Sequence, residues 1–352
     1  MRIDQLVSDM RYGDAITDNA LMLRDVIAEA GWDSDIYAEN IDVRLDADVK
    51  RTDEYKPGSC IIHHFAIGGA VNDTVREISG VRKIMIYHNI TPAEYFLGYN
   101  LTSYNLCLRA REQLKNAYDT YDLALGVSEL NRAELEKLGY NNTGVLPVMY
   151  DFSRLSAEPD RDYMEKLDDG YVNIMFLGRL APNKKQDDLI KAFYFYKTLI
   201  NPGSRLIIAG SYDGMEKYLN ELVSLTKILD LQDVNFCGKV SYAQMAALYK
   251  RADVFLSMSE HEGFCVPLLE GMYAKAPILA YAAPGIAETL AGSGVLFDKK
   301  DYKPVAEMTD ALVSKKDFRK AVIKGQTERL TYFNKDDIKT KFLSYVNGVM
   351  RI

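Results

Sequence analysis

Short apolar runs alternate with amphipathic helical stretches along all 352 residues of the chain. Several runs lack polar alternation, which is typical of parallel strands covered by helices on both faces. Strands that alternate with helices form βαβ units, so the pattern predicts an α/β protein with parallel sheets. The predicted strands are 3–7, 34–38, 60–64, 83–87, 122–127 and 144–146 in the first half, and 172–177, 205–209, 234–237, 253–257, 277–281 and 294–297 in the second.

Two sets of six strands predict two doubly wound, Rossmann-like domains, spanning residues 1–155 and 156–334. The boundary falls between Met149 and Gly170, where a charge-dense, strand-poor segment suits a linker with a helix. The last stretch, 335–352, has helical apolar spacing and can pack on either domain, including back on the first. Open parallel sheets bind ligands beyond the carboxyl ends of their strands. We therefore expect a cleft between the domains, with the chemistry in the loops that follow strands.

Charge and cysteine content narrow the function classes. With 43 Lys+Arg against 50 Asp+Glu the net charge is −7, and a pI near 5.3 argues against nucleic acid as a partner. No apolar run is long enough to span a bilayer, and the N-terminus shows no secretory pattern. The four cysteines form no CxxC pair, so we expect neither structural zinc nor a disulfide framework, but reduced thiols in a cytoplasmic protein.

A basic pair follows the strand predicted at 172–177. Arg179 offers a planar fork of donors and Lys184 a point charge, in the loop before a helix. Together with backbone N–H groups at the start of that helix, they suit a phosphate or diphosphate. An ordinary solvated basic loop is the alternative.

Two carboxylates flank a helix start after the strand predicted at 253–257. Pro267 is placed to open the helix, with Glu270 in its first turn and Glu262 in the preceding loop. Gly263 lets a ligand approach the backbone, and the N–H groups of 264–266 can point at an anion. Because a carboxylate accepts several hydrogen bonds from sugar hydroxyls, the acids and the basic pair together indicate a sugar nucleotide. Charge bias at a helix N-terminus is the alternative.

These motifs resemble those of a known enzyme family. The run Glu-Gly-Phe-Cys-Val-Pro-Leu-Leu-Glu-Gly-Met that begins at Glu262 resembles the E-G-F-G-x-P-x-x-E-A-M signature of the retaining family-4 glycosyltransferases, which have the GT-B fold. The run Gly-Arg-Leu-Ala-Pro-Asn-Lys that begins at Gly178 resembles their G-R-L-x-x-x-K. Residues 283–288 are similar to their G-G-x-P-E turn, with the proline shifted. The resemblance covers about 172–297 and is weaker in the first half.

Three residues depart from the family pattern: Cys265 replaces the usual Gly, Gly271 replaces Ala, and Lys185 replaces a common Gly. None of these departures removes a charged group. The GT-B fold that the resemblance implies has two Rossmann-like domains facing a cleft, the first on the acceptor side and the second binding the nucleotide sugar.

The resemblance also implies roles for single residues. Arg179 and Lys184 would hold the donor diphosphate and stabilise the leaving group, Glu270 would bind the ribose, and Glu262 would contact the transferred sugar. The implied donor-binding set is Arg179, Lys184, Val240, Glu262, Gly263, Phe264, Cys265, Val266 and Glu270. Val240 follows a strand in what resembles the base-contacting loop, although an ordinary turn explains it equally well.

Transfer in this family retains the anomeric configuration, by the usual proposal through front-face attack in which the leaving phosphate oxygen accepts the acceptor's proton. The rate enhancement must then come from electrostatic stabilisation of the leaving group and from positioning of the reactants. The resemblance implies no cofactor other than the nucleoside diphosphate sugar as co-substrate, and no metal.

The first half offers weaker signals. His88 ends the strand predicted at 83–87 and is similar to the family's strand-end histidine near the transferred sugar; it completes the implied catalytic set with Glu262, Arg179 and Lys184. The acceptor and loop candidates are Gly13, Asp14 and Asn89, with a plain turn as the alternative at 13–14. Neither His63 nor His64 receives a role.

An aromatic cluster and a basic helical stretch follow His88. The cluster of Tyr95, Phe96, Tyr99 and Tyr104 fits either an acceptor groove or a membrane-facing surface. The basic residues after it suit anionic lipid or an ordinary solvated face; they are Arg109, Arg111 and Lys115.

The sequence therefore predicts a retaining glycosyltransferase that moves a hexose from a UDP- or GDP-linked sugar to a hydroxyl of a glycan or glycolipid. We expect a role in cell-surface polysaccharide synthesis, in the cytoplasm or peripheral to the inner face of the membrane. A sugar-nucleotide epimerase or hydrolase of the same architecture is an alternative, as is a non-catalytic nucleotide-sugar-binding partner subunit.

Overall fold

The chain, described from Met1 to Arg351 by a computed structural model, divides into two compact units. The first contains Met1–Glu94, Thr102–Tyr150 and the chain from Phe333 onward. The second contains Tyr95–Leu101 and Asp151–Tyr332. Each unit has one parallel sheet with helices around it, so the predicted α/β class is confirmed.

The first unit has a seven-stranded parallel sheet in the order β3-β2-β1-β4-β5-β6-β7. Its strands are β1 (Ile3–Met10), β2 (Ile36–Ile41), β3 (Lys50–Arg51), β4 (Cys60–Phe65), β5 (Arg82–Tyr87), β6 (Leu123–Gly126) and β7 (Thr143–Val145). The helices of the first part of the chain are α1 (Ala15–Glu29), α2 (Ala70–Glu77), α3 (Leu101–Lys115) and α4 (Glu129–Lys137).

The second unit has a six-stranded parallel sheet in the order β10-β9-β8-β11-β12-β13. Its strands are β8 (Val172–Leu177), β9 (Ser204–Ala209), β10 (Val234–Gly238), β11 (Val254–Ser257), β12 (Ile278–Tyr281) and β13 (Val295–Phe297). The remaining helices are α5 (Arg161–Lys166), α6 (Gln186–Leu199), α7 (Glu216–Ile228), α8 (Tyr242–Arg251), α9 (Val266–Tyr273), α10 (Pro284–Leu290), α11 (Tyr302–Ser314), α12 (Lys316–Leu330) and α13 (Lys335–Met350).

All twelve predicted strands are present, with ends shifted by up to three residues. The strand that the sequence did not reveal, β3, is an exposed two-residue edge strand of Lys50 and Arg51, which carries no apolar pattern. The central strands are buried on both faces: every residue of β4 and β11 is buried. This burial explains their lack of polar alternation.

In each sheet, the order of the strands reverses beside the first strand, so that the chain leaves two neighbouring strands towards opposite sides of the sheet. In the second unit the chain leaves β8 through α6 towards β9, whereas it leaves β11 through α9 towards β12 on the other side. The helices α6 and α9 therefore lead to opposite sides of the sheet, and the loops after β8 and β11 lie next to each other at its carboxyl edge, where open sheets bind ligands. In the first unit the same switch lies between β1 and β4.

Two helices begin at serine residues that cap them. The Ser128 hydroxyl accepts a hydrogen bond from the backbone N–H of Asn131 and caps α4, and Ser241 and Gln244 form a capping box that begins α8. The last helix, α13, packs in the first unit, where Phe342 is fully buried and the Tyr345 hydroxyl donates to the Val145 carbonyl at 3.3 Å.

Between Met1 and Arg351, no helix has both the length and the apolar character that crossing a bilayer requires.

Candidate functional site

The loops after β8 and β11 are joined at the switch point of the second sheet. Lys184 Nζ lies 2.5 Å from Glu262 Oε2. Next to this pair, Asn183 Nδ2 donates to the His261 carbonyl at 3.1 Å, and the Glu260 N–H donates to the Asn183 carbonyl at 2.9 Å. The two loops therefore form one surface that carries a cation and an acid at the edge where open sheets bind ligands.

The Lys184–Glu262 pair is largely withdrawn from water. The Glu262 side chain is only 8% exposed and that of Lys184 is 23% exposed. A carboxylate this buried needs a partner, because removing one member of a desolvated pair leaves an uncompensated charge. The ammonium thus compensates the charge of the carboxylate at the carboxyl edge of the sheet.

The start of α10 supports the Glu262 loop from behind. A Cβ at Gly285 would collide with the Glu262 carbonyl oxygen, so only glycine permits this approach of the two backbones. Thr289 Oγ1 donates to the Phe264 carbonyl at 2.5 Å. The segment that resembles the G-G-x-P-E turn is therefore the N-terminal part of a helix that fixes the loop position.

Glu270 lies deeper than its neighbour and has a partner that sequence reasoning missed. The Tyr249 hydroxyl on α8 donates to Glu270 Oε2 at 2.7 Å, and the carboxyl group is buried. The prediction that Glu270 lies in the first turn of its helix was wrong: α9 begins at Val266, one residue before Pro267, so Glu270 is its fifth residue. Apolar spacing in α8 was the only signal from Tyr249.

Two departures from the family pattern occupy left-handed backbone positions. Cys265, the N-cap of α9, has φ 72°, and Lys185 has φ 53°. A non-glycine residue in this region costs roughly 1–2 kcal/mol, which gives a physical reason why glycine is usual at both places in the family. Burial, aided by the Glu262 carboxylate, raises the pKa of the Cys265 thiol, so this sulfur stays protonated and weakly nucleophilic.

The Arg179 side chain is exposed, while its backbone is fixed. A Cβ at Gly210 would collide with the Gly178 carbonyl, and the N–H of Leu180 donates to the Ser211 carbonyl at 2.8 Å. Gln186 Nε2 donates to the Arg179 carbonyl at 3.2 Å. The guanidinium is therefore presented from a rigid loop at the same carboxyl edge as Lys184.

The other predicted donor residues lie along this edge. Phe264 and Val266 are buried and Gly263 is half-buried, so the side chains of Phe264 and Val266 belong to the core rather than to the surface of the loop. Val240 follows β10 and directly precedes the capped start of α8. These residues lie in or next to the loops that follow β8, β10 and β11 in the second unit. Their roles in binding a donor stay predictions.

A charged network that the sequence did not reveal borders the Glu262 loop. Lys300 Nζ lies 2.7 Å from Glu260 Oε1 and 2.8 Å from Asp188 Oδ2, and the Tyr95 hydroxyl donates to Glu260 Oε2 at 3.1 Å. Burial opposes ionisation of Asp188, but hydrogen bonds from Lys300 and Tyr302 outweigh it and hold the pKa of that carboxyl below its usual range. No local motif links residues so far apart in the chain.

The predicted histidine of the first unit ends β5. The His88 N–H donates to the Phe65 carbonyl at 2.9 Å, and His88 Nε2 lies 2.9 Å from His64 Nδ1. Burial lowers the pKa of His88 to about 3, so its ring is neutral at physiological pH. Asn89 adopts φ 76° and its amide donates to Asn131 Oδ1 at 2.8 Å.

The loop after β1 has a structural role. Gly13 adopts φ 81°, and Asp14 caps α1 by accepting a hydrogen bond from the Ile16 N–H at 2.9 Å. One carboxylate oxygen of Asp14 is thereby engaged in starting the helix.

The aromatic cluster is divided between burial and polar contacts. Phe96 is buried, while the Tyr99 hydroxyl donates to Glu221 Oε2 at 2.7 Å. In the basic stretch of α3, Arg109 pairs with Asp73 at 2.9 Å. Arg111 forms an ion pair with Glu134 and donates to the Ile90 carbonyl.

The described residues, 1–351, contain no group of three or more His, Cys, Asp or Glu side chains arranged to hold a metal ion. The groups suited to a ligand are instead the cations and acids of the β8 and β11 loops.

Comparisons with known proteins point to one enzyme family. Residues 162–329 match the family model described as glycosyl transferases group 1. The chain is 32% identical over 138 residues to mannosylfructose-phosphate synthase of Agrobacterium fabrum, covering 36% of this chain and 30% of that protein. It is 31% identical over 137 residues to GDP-mannose-dependent alpha-mannosyltransferase of Mycolicibacterium smegmatis, covering 38% and 32%. The match spans about a third of the length of these relatives.

The whole chain shares its fold with solved structures. HepE of Anabaena, solved in complex with UDP-glucose, superimposes with a TM-score of 0.78 over 99% of this chain and 100% of that one, at 17% identity. At this identity the likeness shows the fold, which is the GT-B fold.

We predict that Gly285→Ala displaces the Glu262 loop. The added methyl group would collide with the Glu262 carbonyl, and relief of such overpacking typically costs about 1–3 kcal/mol. Urea denaturation monitored for the second unit should show that loss of unfolding free energy.

The matched control is Gly271→Ala in α9. Its Cβ would meet two side-chain atoms of Ile278 at 3.3 and 3.4 Å and Tyr249 Cε1 at 3.9 Å, with no backbone atom among them. A small shift of the Ile278 side chain makes room and alanine favours the helix, so stability should stay within about 0.5 kcal/mol of wild type. Equal stability of the two variants would contradict the support that we assign to Gly285.

Proposed function

We propose that the protein is a nucleotide-sugar-dependent glycosyltransferase, because residues 162–329 match the family model of the glycosyl transferases group 1. It transfers a hexose from a UDP- or GDP-linked sugar to a hydroxyl of a glycan or glycolipid, with retention of configuration, in cell-surface polysaccharide synthesis. The reaction takes place in the cytoplasm, at the inner face of the membrane.

The Lys184–Glu262 pair at the switch point of the second sheet is the observation that carries this proposal. A cation at a sheet edge suits phosphate oxygens, and an acid suits sugar hydroxyls, because a carboxylate accepts several hydrogen bonds. Arg179 adds a second cation on a rigid loop, and the buried Glu270 adds a second acid. A nucleoside diphosphate sugar is the ligand class that needs both kinds of group within one crevice.

The proposed chemistry relies on leaving-group stabilisation. The acceptor oxygen bonds to the anomeric carbon as the bond from that carbon to the phosphate oxygen breaks. The departing phosphate oxygen takes the proton of the acceptor hydroxyl, so both new bonds form on the same face of the sugar. Arg179 and Lys184 stabilise the charge that develops on the diphosphate without a further cofactor. Glu262, held by Lys184, orients the sugar rather than attacking it.

We predict that the donor stabilises the protein through Lys184. At a hundredfold excess over Kd, a ligand that binds only the folded state adds about 2.7 kcal/mol, enough to raise Tm by about 5 °C or more. Thermal shifts with UDP-glucose, GDP-mannose and ADP-glucose would identify the donor. Lys184→Met should raise the Kd for the donor by about tenfold or more, because a charge-assisted hydrogen bond is lost.

Two variants keep this binding test decisive. Lys303→Met removes an exposed ammonium elsewhere in the second unit and should leave Kd unchanged. Glu270→Gln keeps the shape of its side chain and should also weaken the donor, while leaving the Lys184–Glu262 pair intact. Unchanged donor affinity in both Lys184→Met and Glu270→Gln would refute the site.

We predict that transfer depends on an acceptor and on Arg179. With the donor found above and a set of glycan and lipid-linked acceptors, Arg179→Ala should lower kcat by about a hundredfold, as loss of an electrostatic donor to a leaving group typically does. Arg161→Ala, which removes a guanidinium that is 87% exposed, is the control. NMR of the product should show the anomeric configuration of the donor sugar.

The alternatives give different results in the same assay. An epimerase or hydrolase converts the donor when no acceptor is added, and a non-catalytic subunit binds the donor but converts nothing. Inversion at the anomeric carbon would contradict the retaining step.

Exposed leucines favour a lipid-linked acceptor. Leu97, Leu101 and Leu108 are 60%, 67% and 45% exposed, and 101 and 108 lie seven positions apart on one face of α3. The arginines of α3 are paired with Asp73 and Glu134, but Lys115 on the same helix is exposed, and exposed leucines together with a lysine suit the headgroup region of an anionic membrane.

We predict that this face binds anionic vesicles. Sedimentation with phosphatidylglycerol-containing liposomes should retain wild-type protein, and the double substitution Leu101→Ser and Leu108→Ser should reduce the bound fraction severalfold. Ile228→Ser alters a 79% exposed apolar residue of the second unit and should bind as wild type does. If the wild type stays in the supernatant, the membrane part of the proposal is wrong.

A further inference from the structure

A row of buried hydrogen bonds crosses three adjacent strands of the first sheet. Gln5 on β1 donates through Nε2 to the Ala20 carbonyl at 2.9 Å, and its Oε1 lies 2.8 Å from His64 Nε2 on β4. His64 Nδ1 in turn lies 2.9 Å from Nε2 of His88, at the end of β5. Gln5 is 0% exposed and His64 is 1% exposed, so water does not compete for the hydrogen bonds of these two residues.

The direction of each hydrogen bond follows from its first member. A carbonyl oxygen can only accept, so the Gln5 amide nitrogen faces Ala20 and the amide oxygen faces His64. His64 Nε2 therefore carries a proton. Burial lowers the pKa of His64 well below its usual value, which leaves the ring neutral and its Nδ1 as an acceptor.

The same reasoning fixes the proton on His88. Because His64 Nδ1 accepts, His88 Nε2 must donate, and in a neutral imidazole the other nitrogen then has no proton. Among the described residues, His88 Nδ1 has no hydrogen-bond partner, and the side chain is partly exposed. The strand that His88 terminates is parallel to and paired with β4, beside the switch point of the first sheet.

We propose that Gln5 and His64 are positioning residues that hold His88 as a hydrogen-bond acceptor, so that its unprotonated Nδ1 accepts a hydrogen bond from a hydroxyl of a sugar bound at the carboxyl edge of the first sheet. This inference rests on the proposed function for the presence of a sugar. A lone pair at this position selects a group that donates a hydrogen bond, and it repels a carboxylate or phosphate oxygen. The row of hydrogen bonds, called the relay below, thus favours a hydroxyl over an acidic group at this one position of the sugar.

The first test asks, without any substrate, which ring nitrogen of His88 carries the proton. Long-range ¹H–¹⁵N NMR of the full chain at pH 7 distinguishes ring nitrogens that carry a proton from those that do not. Comparison with His88→Gln assigns the His88 signals. We expect an unprotonated Nδ1 and a protonated Nε2 for His88 in the wild type; a protonated Nδ1 would overturn the relay.

Gln5→Met removes the amide oxygen and keeps a side chain of similar length. His64 then loses the acceptor that fixes its proton on Nε2, so the His88 Nδ1 signal should move towards the protonated value. The kcat for glycosyl transfer should fall by about tenfold, the effect of one misdirected hydrogen bond in the site.

Tyr121→Phe is the matched control. The Tyr121 hydroxyl bonds to Nδ1 of the other buried histidine, His63, at 2.6 Å, in a row that does not include His88. This variant loses a buried hydrogen bond of similar kind, so its stability should fall as that of Gln5→Met does. Its His88 signals and kcat should stay at wild-type values; an equal loss of kcat in both variants would show a merely structural effect and overturn the proposal.

The outcomes separate this inference from the proposed function. If the wild type transfers no sugar to any acceptor, the proposed function fails and the substrate part of the inference fails with it, whatever the NMR shows. If the wild type transfers sugar and the His88 signals move in Gln5→Met without any change in kcat, the positioning role alone is refuted.

Discussion

The ion pair between Lys184 and Glu262 is the constraint on which the candidate site depends. It joins two loops separated by 78 positions in the chain, across the one place in the second sheet where neighbouring strands send the chain in opposite directions. Because the carboxylate is nearly buried, the pair cannot be relaxed cheaply. Asn183 and Gly285 then fix the backbone around it, so the positions of these two charges are set by the fold.

The corresponding edge of the first sheet carries neutral histidines instead of a charged pair. Three histidines lie at or near this edge, and burial keeps all of them neutral. A neutral imidazole is useful only if its proton is on a defined nitrogen, and the row from Gln5 through His64 to His88 supplies that definition through ordinary hydrogen bonds. In the second unit an ion pair fixes the candidate site, whereas in the first unit hydrogen bonds fix which ring nitrogens of His64 and His88 carry a proton.

Two departures from the family pattern, Cys265 and Lys185, lie at backbone positions that favour glycine. Cys265 and Lys185 both adopt left-handed backbone angles where glycine is common. The surrounding contacts keep these angles: Lys185 stands between a short helical turn and α6, and Cys265 begins α9. The strain is confined to these two residues, and neither departure removes a charged group.

The sequence by itself determined the α/β class, twelve of the thirteen strands, the capped helix starts at Ser128 and Ser241, and the loops that carry Arg179, Lys184, Glu262 and Glu270. These features depend on local patterns: apolar runs, helix caps and short motifs. Only the tertiary structure decided that Tyr249 bonds to Glu270, that Gly285 supports Glu262, that Lys300 joins Glu260 to Asp188, and that α13 packs in the first unit. These contacts join distant residues, and the side chains carry no local signal of the partner that folding brings to them.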